Sequence, residues 1–226
     1  MQSNPLLSAW TGRFNEAPFD QIKTEHYFPA IEASLKEARS NLAALREQAA
    51  TPDFENTIVK LETLSESLDR CAGIFFNVVE AEADEAMHAL AKQISPLTAA
   101  FSNDLQLDPA VFARVKAVYD KRSSLKLSTE QARLLEKTYK GFVRNGALLD
   151  EAGKSKLREI DAELAKLAPQ YSENLLKATN AGEFWIKSEN DLAGIPDSAR
   201  EAAKDAAKEK GRPQEWLFTL QAPSYI

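Results

Sequence analysis

From about Thr24 to Ala178 the chain repeats one pattern: apolar residues recur at alternating steps of three and four. Ile31, Leu35, Ala38, Leu42 and Leu45 make one such stripe, and Phe54, Ile58, Leu61, Leu64, Leu68, Cys71, Phe75 and Val78 another. Met87, Leu90, Ile94, Leu97, Phe101 and Leu105 make a third, and Leu157, Ile160, Leu164, Leu167, Tyr171 and Leu175 close the series. That spacing places each set on one face of an α-helix and fits no strand. Composition agrees. There are 35 Ala and 26 Leu against 16 Val plus Ile, and only 8 Gly in 226 residues. Good helix formers therefore outweigh β-branched residues, which excludes a sandwich or barrel.

Punctuation places the helices. The first runs from near Thr24 to about Ala49, with Pro29 arguing for a start a few residues later. Thr51 as N-cap and Pro52 at the first helical position open a second, expected to run unbroken for about seven turns, roughly 40 Å. A third covers about Asp84 to Leu105, kinked at Pro96. Asp108-Pro109 caps a short helix through Tyr119. Ser128 and Gln131 form a capping box for a helix that stops before Gly146. A sixth spans about Asp150 to Ala178, kinked at Pro169. After Gly182 the texture changes. Two short aromatic segments, 183–187 and 216–220, read as strands. Between them lies an Ala/Lys/Glu helix from about Asp197 to Lys210, ended by Gly211. The expected fold is all-α, an antiparallel array of long helices with a small strand-helix-strand element near the C-terminal end. The expected divisions are a leader (1–23), a helical domain (24–180) and the start of a mixed region (181–226), truncated at Ile226.

The net charge of -6 and pI near 5.2 argue against a nucleic-acid partner. The first twelve residues lack the basic and apolar regions of a secretory signal, and no apolar run approaches the ~20 residues that cross a bilayer. The reading is a cytoplasmic protein without membrane contact. A single cysteine, Cys71, permits no intrachain disulfide and no multi-cysteine zinc site.

Chemistry-bearing residues are few. His26 and His88 stand 62 positions apart, neither followed four residues on by a second histidine. A His-Glu-x-x-His zinc helix is therefore missing here, and helix-end or solvated histidines are the better reading. Cys71 lies on an apolar stripe, where a thiol acts as a small hydrophobe. Glu80, Glu82, Asp84 and Glu85 read as a solvated helix end. Phe75-Phe76 and Phe184-Trp185 read as core or interface. No catalytic, cofactor-binding or metal residue is expected within the 226 positions.

Several short motifs nonetheless look familiar. Asn4-Pro5-Leu6-Leu7, Pro18-Phe19, His26-Tyr27-Phe28-Pro29-Ala30 and Phe54-Glu55-Asn56-Thr57 come first. Phe142-Val143, Ser172-Glu173-Asn174, Leu192-Ala193-Gly194-Ile195-Pro196, Trp216 and Pro223-Ser224-Tyr225 follow in order. Together they resemble the N-terminal part of the thimet-oligopeptidase family of zinc metallopeptidases. The resemblance leans to the bacterial peptidyl-dipeptidase (dipeptidyl carboxypeptidase) branch, with the oligopeptidase A branch next. It implies a nearly all-helical parent about three times this length, split by a deep channel. Its zinc would be held by a later His-Glu-x-x-His helix and a downstream Glu. This segment would then be a channel wall, inactive alone, holding no zinc itself. Its partners would be short peptide substrates and the later helical domain of the same chain, with self-association through residues 183–226 where an edge is left uncovered. The competing expectation is a self-contained, non-catalytic helical scaffold or protein-binding module.

Overall fold

A computed structural model describes residues 4–225; Met1, Gln2, Ser3 and Ile226, which belong to the expected leader and chain end, lie outside the described residues. About 70% of the structure is helix, with one two-stranded antiparallel sheet. Two compact units divide at Pro169, inside a helix.

In the first unit, helix α1 (Thr24–Arg46) begins where the sequence places it, with Pro29 inside. The missing Pro29 N–H leaves the Glu25 carbonyl without its helical donor, a cost the exposed site passes to water. The expected later start is thus not needed, while the far end comes three residues before Ala49. The second helix is not the single rod expected. Asp53, not Thr51, is the N-cap: its side chain accepts from Asn56 N at 2.7 Å, and Asn56 Oδ1 accepts from Asp53 N at 3.1 Å. This reciprocal cap is better served than a threonine followed by proline. A wide π-helical turn over Phe54–Val59 follows, then α2 (Lys60–Thr63), a break at Leu64 and Ser65, and α3 (Glu66–Glu82). Asn41 of α1 donates 2.9 Å to the Leu64 carbonyl at the break, satisfying an acceptor that the helix has released.

Helices α4 (Glu85–Gln106), α5 (Pro109–Asp120) and α6 (Thr129–Arg144) are each capped at the N-terminus, the last two as the sequence places them. Asp84 accepts from Met87 N, Asp108 from Ala110 N and Val111 N, and Ser128 and Gln131 exchange bonds. At the end of α6, Gly146 has φ +93°, its N–H reaches Val143 O, and Ala147 N reaches Phe142 O. That left-handed residue closes a Schellman motif.

The core packs α1 against α3 and α4, and α5 against α6. Ile31 and Leu35 meet Leu68, Cys71 and Phe75 in one buried cluster that extends to Val111, Val115, Leu135 and Phe142. Phe75 stands edge-on to Tyr27 at 5.2 Å between ring centres. Tyr119 stacks on Tyr139 at 3.9 Å, joining α5 to α6. Within the expected leader, which holds no helix or strand among its described residues, Leu6 is fully buried in the first unit. Asn4 holds it there, accepting from Leu6 N and donating 2.8 Å to His26 O. Arg70 donates to Leu6 O and lies over the Trp10 ring.

Helix α7 (Glu151–Ala181) carries the fourth apolar stripe and passes through the unit boundary. In the second unit, β1 (Glu183–Ile186) pairs with β2 (Trp216–Thr219) in the register Glu183–Thr219 to Ile186–Trp216. Helix α8 (Asp197–Glu209) packs on β2 and ends at Gly211, φ +77°. Its small core holds Leu192, Ala203, Ala207 and Leu217. A last turn, α9 (Ala222–Tyr225), follows β2.

Candidate functional site

The residues singled out by sequence are dispersed in structural roles. His26 sits in the first turn of α1, where its Nδ1 accepts from Lys23 N at 3.0 Å. That bond uses one ring lone pair as a helix cap and leaves only Nε2 for any other partner. His88 lies in the first turn of α4, half-buried, its Nε2 without a partner. Cys71 is wholly buried; Ser34 Oγ approaches its sulfur at 3.6 Å and Leu6 O lies at 3.7 Å. No histidine is given to it as a bonding partner among the described residues. Among the described residues no group of three or more His, Cys, Asp or Glu is placed to hold a metal ion. Glu80, Glu82, Asp84 and Glu85 are exposed around the α3–α4 junction, and Asp84 serves as the N-cap.

The two aromatic pairs differ. Phe75 is core, with Phe76 against it at 5.1 Å. Phe184 is 69% exposed, while Trp185 lies under Arg212 and donates to Glu183. The Glu183 carboxyl is held below its ordinary value first by the Lys210 ammonium at 2.8 Å and then by the Trp185 N–H. Elsewhere shifted groups are helix-face pairs: Lys140 and then Arg133 lower Glu136, and Asp120 raises Lys116. Such pairs support exposed helix faces.

Two features have more functional reach. One is α7, whose stripe is not core. In the first unit it exposes Ile160, Leu164 and Leu167, and in the second Tyr171, Leu175 and Leu176, each between 45% and 69% exposed. Among the described residues of α7 only Lys154 is buried. The periodicity was legible in the sequence, but the missing partner was not. The other is a groove of about 380 Å³ between α4, the end of α6 and α7. Its polar lining, Asn103 and Gln106 foremost, carried no motif. Gln106 Oε1 is buried there without a partner among the described residues.

No protein-family model matches the chain. Individual relatives do, and they bear out the resemblance seen in the motifs: the chain is similar along nearly its whole length to dipeptidyl carboxypeptidases and oligopeptidases A, and corresponds to an N-terminal part of them. It is 36% identical over 217 residues to a dipeptidyl carboxypeptidase of Escherichia coli (strain K12), a match covering 96% of this chain. To oligopeptidase A of Haemophilus influenzae it is 30% identical over 226 residues, 99% of this chain. To a probable cytosolic oligopeptidase A of Arabidopsis thaliana it is 29% identical over 232 residues, the whole of this chain. In each case the chain spans about a third, 32%, of the relative's own length.

Proposed function

We propose that the chain is the channel-wall portion of a zinc metallopeptidase that hydrolyses short oligopeptides, of the peptidyl-dipeptidase or oligopeptidase type. The observation that carries this reading is a match along nearly the whole chain to peptidases three times as long. On this reading residues 24–180 form the helical domain and 181–226 begin a mixed region that continues beyond them. The protein works in the cytoplasm.

The described residues do not suit a zinc site. They bring together no three metal ligands, and His26 already spends Nδ1 on its helix. On this reading the zinc is held by a later His-Glu-x-x-His helix, as the resemblance implies, and no hydrolytic step is assigned to the residues described. What this chain contributes is a rigid surface. Packed helices admit a flexible peptide and exclude a folded protein by size. The exposed face of α7 is where the later helical domain would pack, because apolar area of that extent is normally covered.

Metal analysis and a fluorogenic peptide assay test the reading. The chain alone is expected to carry no stoichiometric zinc after dialysis and to cleave no faster than buffer. The longer reading frame is expected to contain a His-Glu-x-x-His helix and to give chelator-sensitive cleavage. One zinc per chain, lost on His26→Ala or His88→Ala, would overturn the placement. A natural stop codon after Ile226 would favour the self-contained scaffold instead.

A further inference from the structure

Another groove of the first unit, about 510 Å³, gathers four cations. Arg39 and Arg46 come from α1, Lys154 and Arg158 from the start of α7, and the α4–α5 junction closes it. Three carboxylates line it with them: Asp104, Asp108 and Glu151. Two of the three are committed. Asp108 caps α5, accepting from Ala110 N and Val111 N. Asp104 is held by Arg158 at 3.0 Å and Arg39 at 3.4 Å. Each of those guanidiniums has five N–H donors and gives Asp104 one of them. Arg46 makes no hydrogen bond among the described residues; Asp108 and Glu47 lie 3.6 and 3.8 Å from it. Lys154 is the decisive residue. It is only 7% exposed, yet among the described residues its ammonium has a single partner, Glu151 Oε1 at 3.4 Å. That carboxylate is 89% exposed, so water screens it and it serves the charge weakly. A buried ammonium with three donors is normally paired and fully hydrogen-bonded.

We propose that this groove binds a phosphate dianion, free or as the end of a small monoester. With Glu151 turned to solvent, four cations face two carboxylates. The surplus matches the charge of a phosphate group near neutral pH, about −1.5 to −2. Its oxygens accept from the Lys154 ammonium and from guanidinium N–H groups, whose fork suits a tetrahedral anion. A halide offers one charge and no spread of acceptors. A carboxylate brings one charge where two are wanted. Leu42 and Leu107, both buried, give the groove an apolar side for the organic part of an ester. The volume falls within the range of small-ligand sites. The site binds and makes or breaks no bond. Its test reads binding by this chain alone, so it stands or falls separately from the proposed peptidase role.

Calorimetric titration of the whole chain in a phosphate-free buffer tests it, with sodium phosphate, glycerol 3-phosphate and sodium chloride compared at one ionic strength. Saturable binding of phosphate is expected, and none of chloride. Glycerol 3-phosphate binding more tightly than phosphate would make an ester the ligand, and binding more weakly would make it the free ion. Lys154→Met keeps the stem, removes the ammonium and should weaken phosphate about tenfold or more. Phosphate should raise the melting temperature of the parent chain but not of Lys154→Met. Without phosphate that variant should melt no lower than the parent, since it loses a poorly served buried charge. Arg46→Gln, at a half-exposed side chain, should weaken phosphate several-fold and keeps the test alive if Lys154→Met does not fold. Lys126→Gln, an exposed cation outside the groove, should leave binding unchanged. Absence of saturable binding at millimolar phosphate, equal binding of chloride, or an affinity unmoved by both groove variants would overturn the proposal.

Discussion

Arg114 gives the sharpest test of how the first unit is held together. It projects from α5 and is buried, and among the described residues no carboxylate is near enough to pair. Its Nη1 donates to Gln48 O at 2.8 Å and Ala50 O at 3.2 Å. Its Nη2 donates to the Gln48 side chain, to Asn56 Oδ1 at 3.0 Å and to Thr57 Oγ1 at 3.3 Å. One guanidinium thus ties the segment between α1 and the π-helical turn to α5. Arg114→Met keeps much of the stem and removes every donor. Bonds from a charged donor are worth ~1.5–3 kcal/mol each, and a buried acceptor left bare costs ~1–3 kcal/mol. Ala50 is exposed and can turn to water, and Thr57 keeps its own bond to Asn56, so the full sum is not lost. Relief of a buried charge offsets part of the remainder. The expected net cost is about 3 kcal/mol. For a chain of this size that is a fall of roughly 6–12 °C in melting temperature. Arg114→Lys, which keeps the charge but not the fork, should recover less than half. Differential scanning calorimetry reads both, and proteolysis between residues 47 and 53 should quicken in parallel. A melting temperature within about 1 °C of the parent for Arg114→Met would refute the reasoning, because water would then serve those carbonyls as well as arginine does.

Phe75→Ala empties the best-packed site in the core and should cost ~3–5 kcal/mol by denaturant unfolding; an unchanged midpoint would show that the core lies elsewhere. Gly146→Ala should destabilise by more than ~1 kcal/mol, because φ is +93° and the new Cβ would meet Leu157 Cδ2 at 2.7 Å. Gly141→Ala, in open space inside α6, should instead stabilise by ~0.5–1 kcal/mol, so equal signs for the pair would contradict the cap geometry. Burial pushes the Tyr27 phenol above its ordinary 10.0. The folded chain then holds that proton more tightly than the unfolded one, so the contribution is full below about pH 10 and is lost as pH rises through the native value. Absorbance titration should show one late phenol that Tyr27→Phe removes, and five coincident tyrosines would refute it. Leu164→Ser, on the exposed face of α7, should change the stability of this chain by less than ~0.5 kcal/mol, as surface substitutions do. A larger loss by chemical denaturation would mean that the face is covered.

Much of the fold was legible because local chemistry decides it. The caps at Asp108 and Ser128, and the glycine stops at Gly146 and Gly211, were readable from neighbours within four residues. The break in the second helix was not, because it depends on Asn41, a residue on another helix that takes up the freed Leu64 carbonyl. The burial of Leu6 was hidden for the same reason. Asn4 and His26, 22 positions apart, meet through one hydrogen bond, so two of the motifs behind the family resemblance are one contact. Asn56 and Thr57 of a third motif serve Arg114. In these three motifs the side chains and carbonyls named hold helices in place.

The candidate sites divide along the same line. The side chains of His26, His88 and Cys71 are of kinds that can do catalysis, yet His26 caps its helix, Cys71 packs in the core and His88 Nε2 has no partner among the described residues. Gln106 carries no motif, because glutamine on a helix is ordinary; only three-dimensional burial makes its unpartnered Oε1 costly. Helix α7 is the reverse case, a stripe plain in the sequence whose meaning depends on what is absent from its surroundings. Fully burying a Leu or Ile contributes ~1.5–3 kcal/mol, so Ile160, Leu164 and Leu167 of the first unit, each about half exposed, would together return roughly 2–5 kcal/mol on being covered. That is a sizeable share of the stability of an ordinary domain. A face with that much to gain sets the direction in which this chain can be built upon. On the proposed reading, the same burial that joins the wall to the rest of the enzyme also fixes the width of the passage between them.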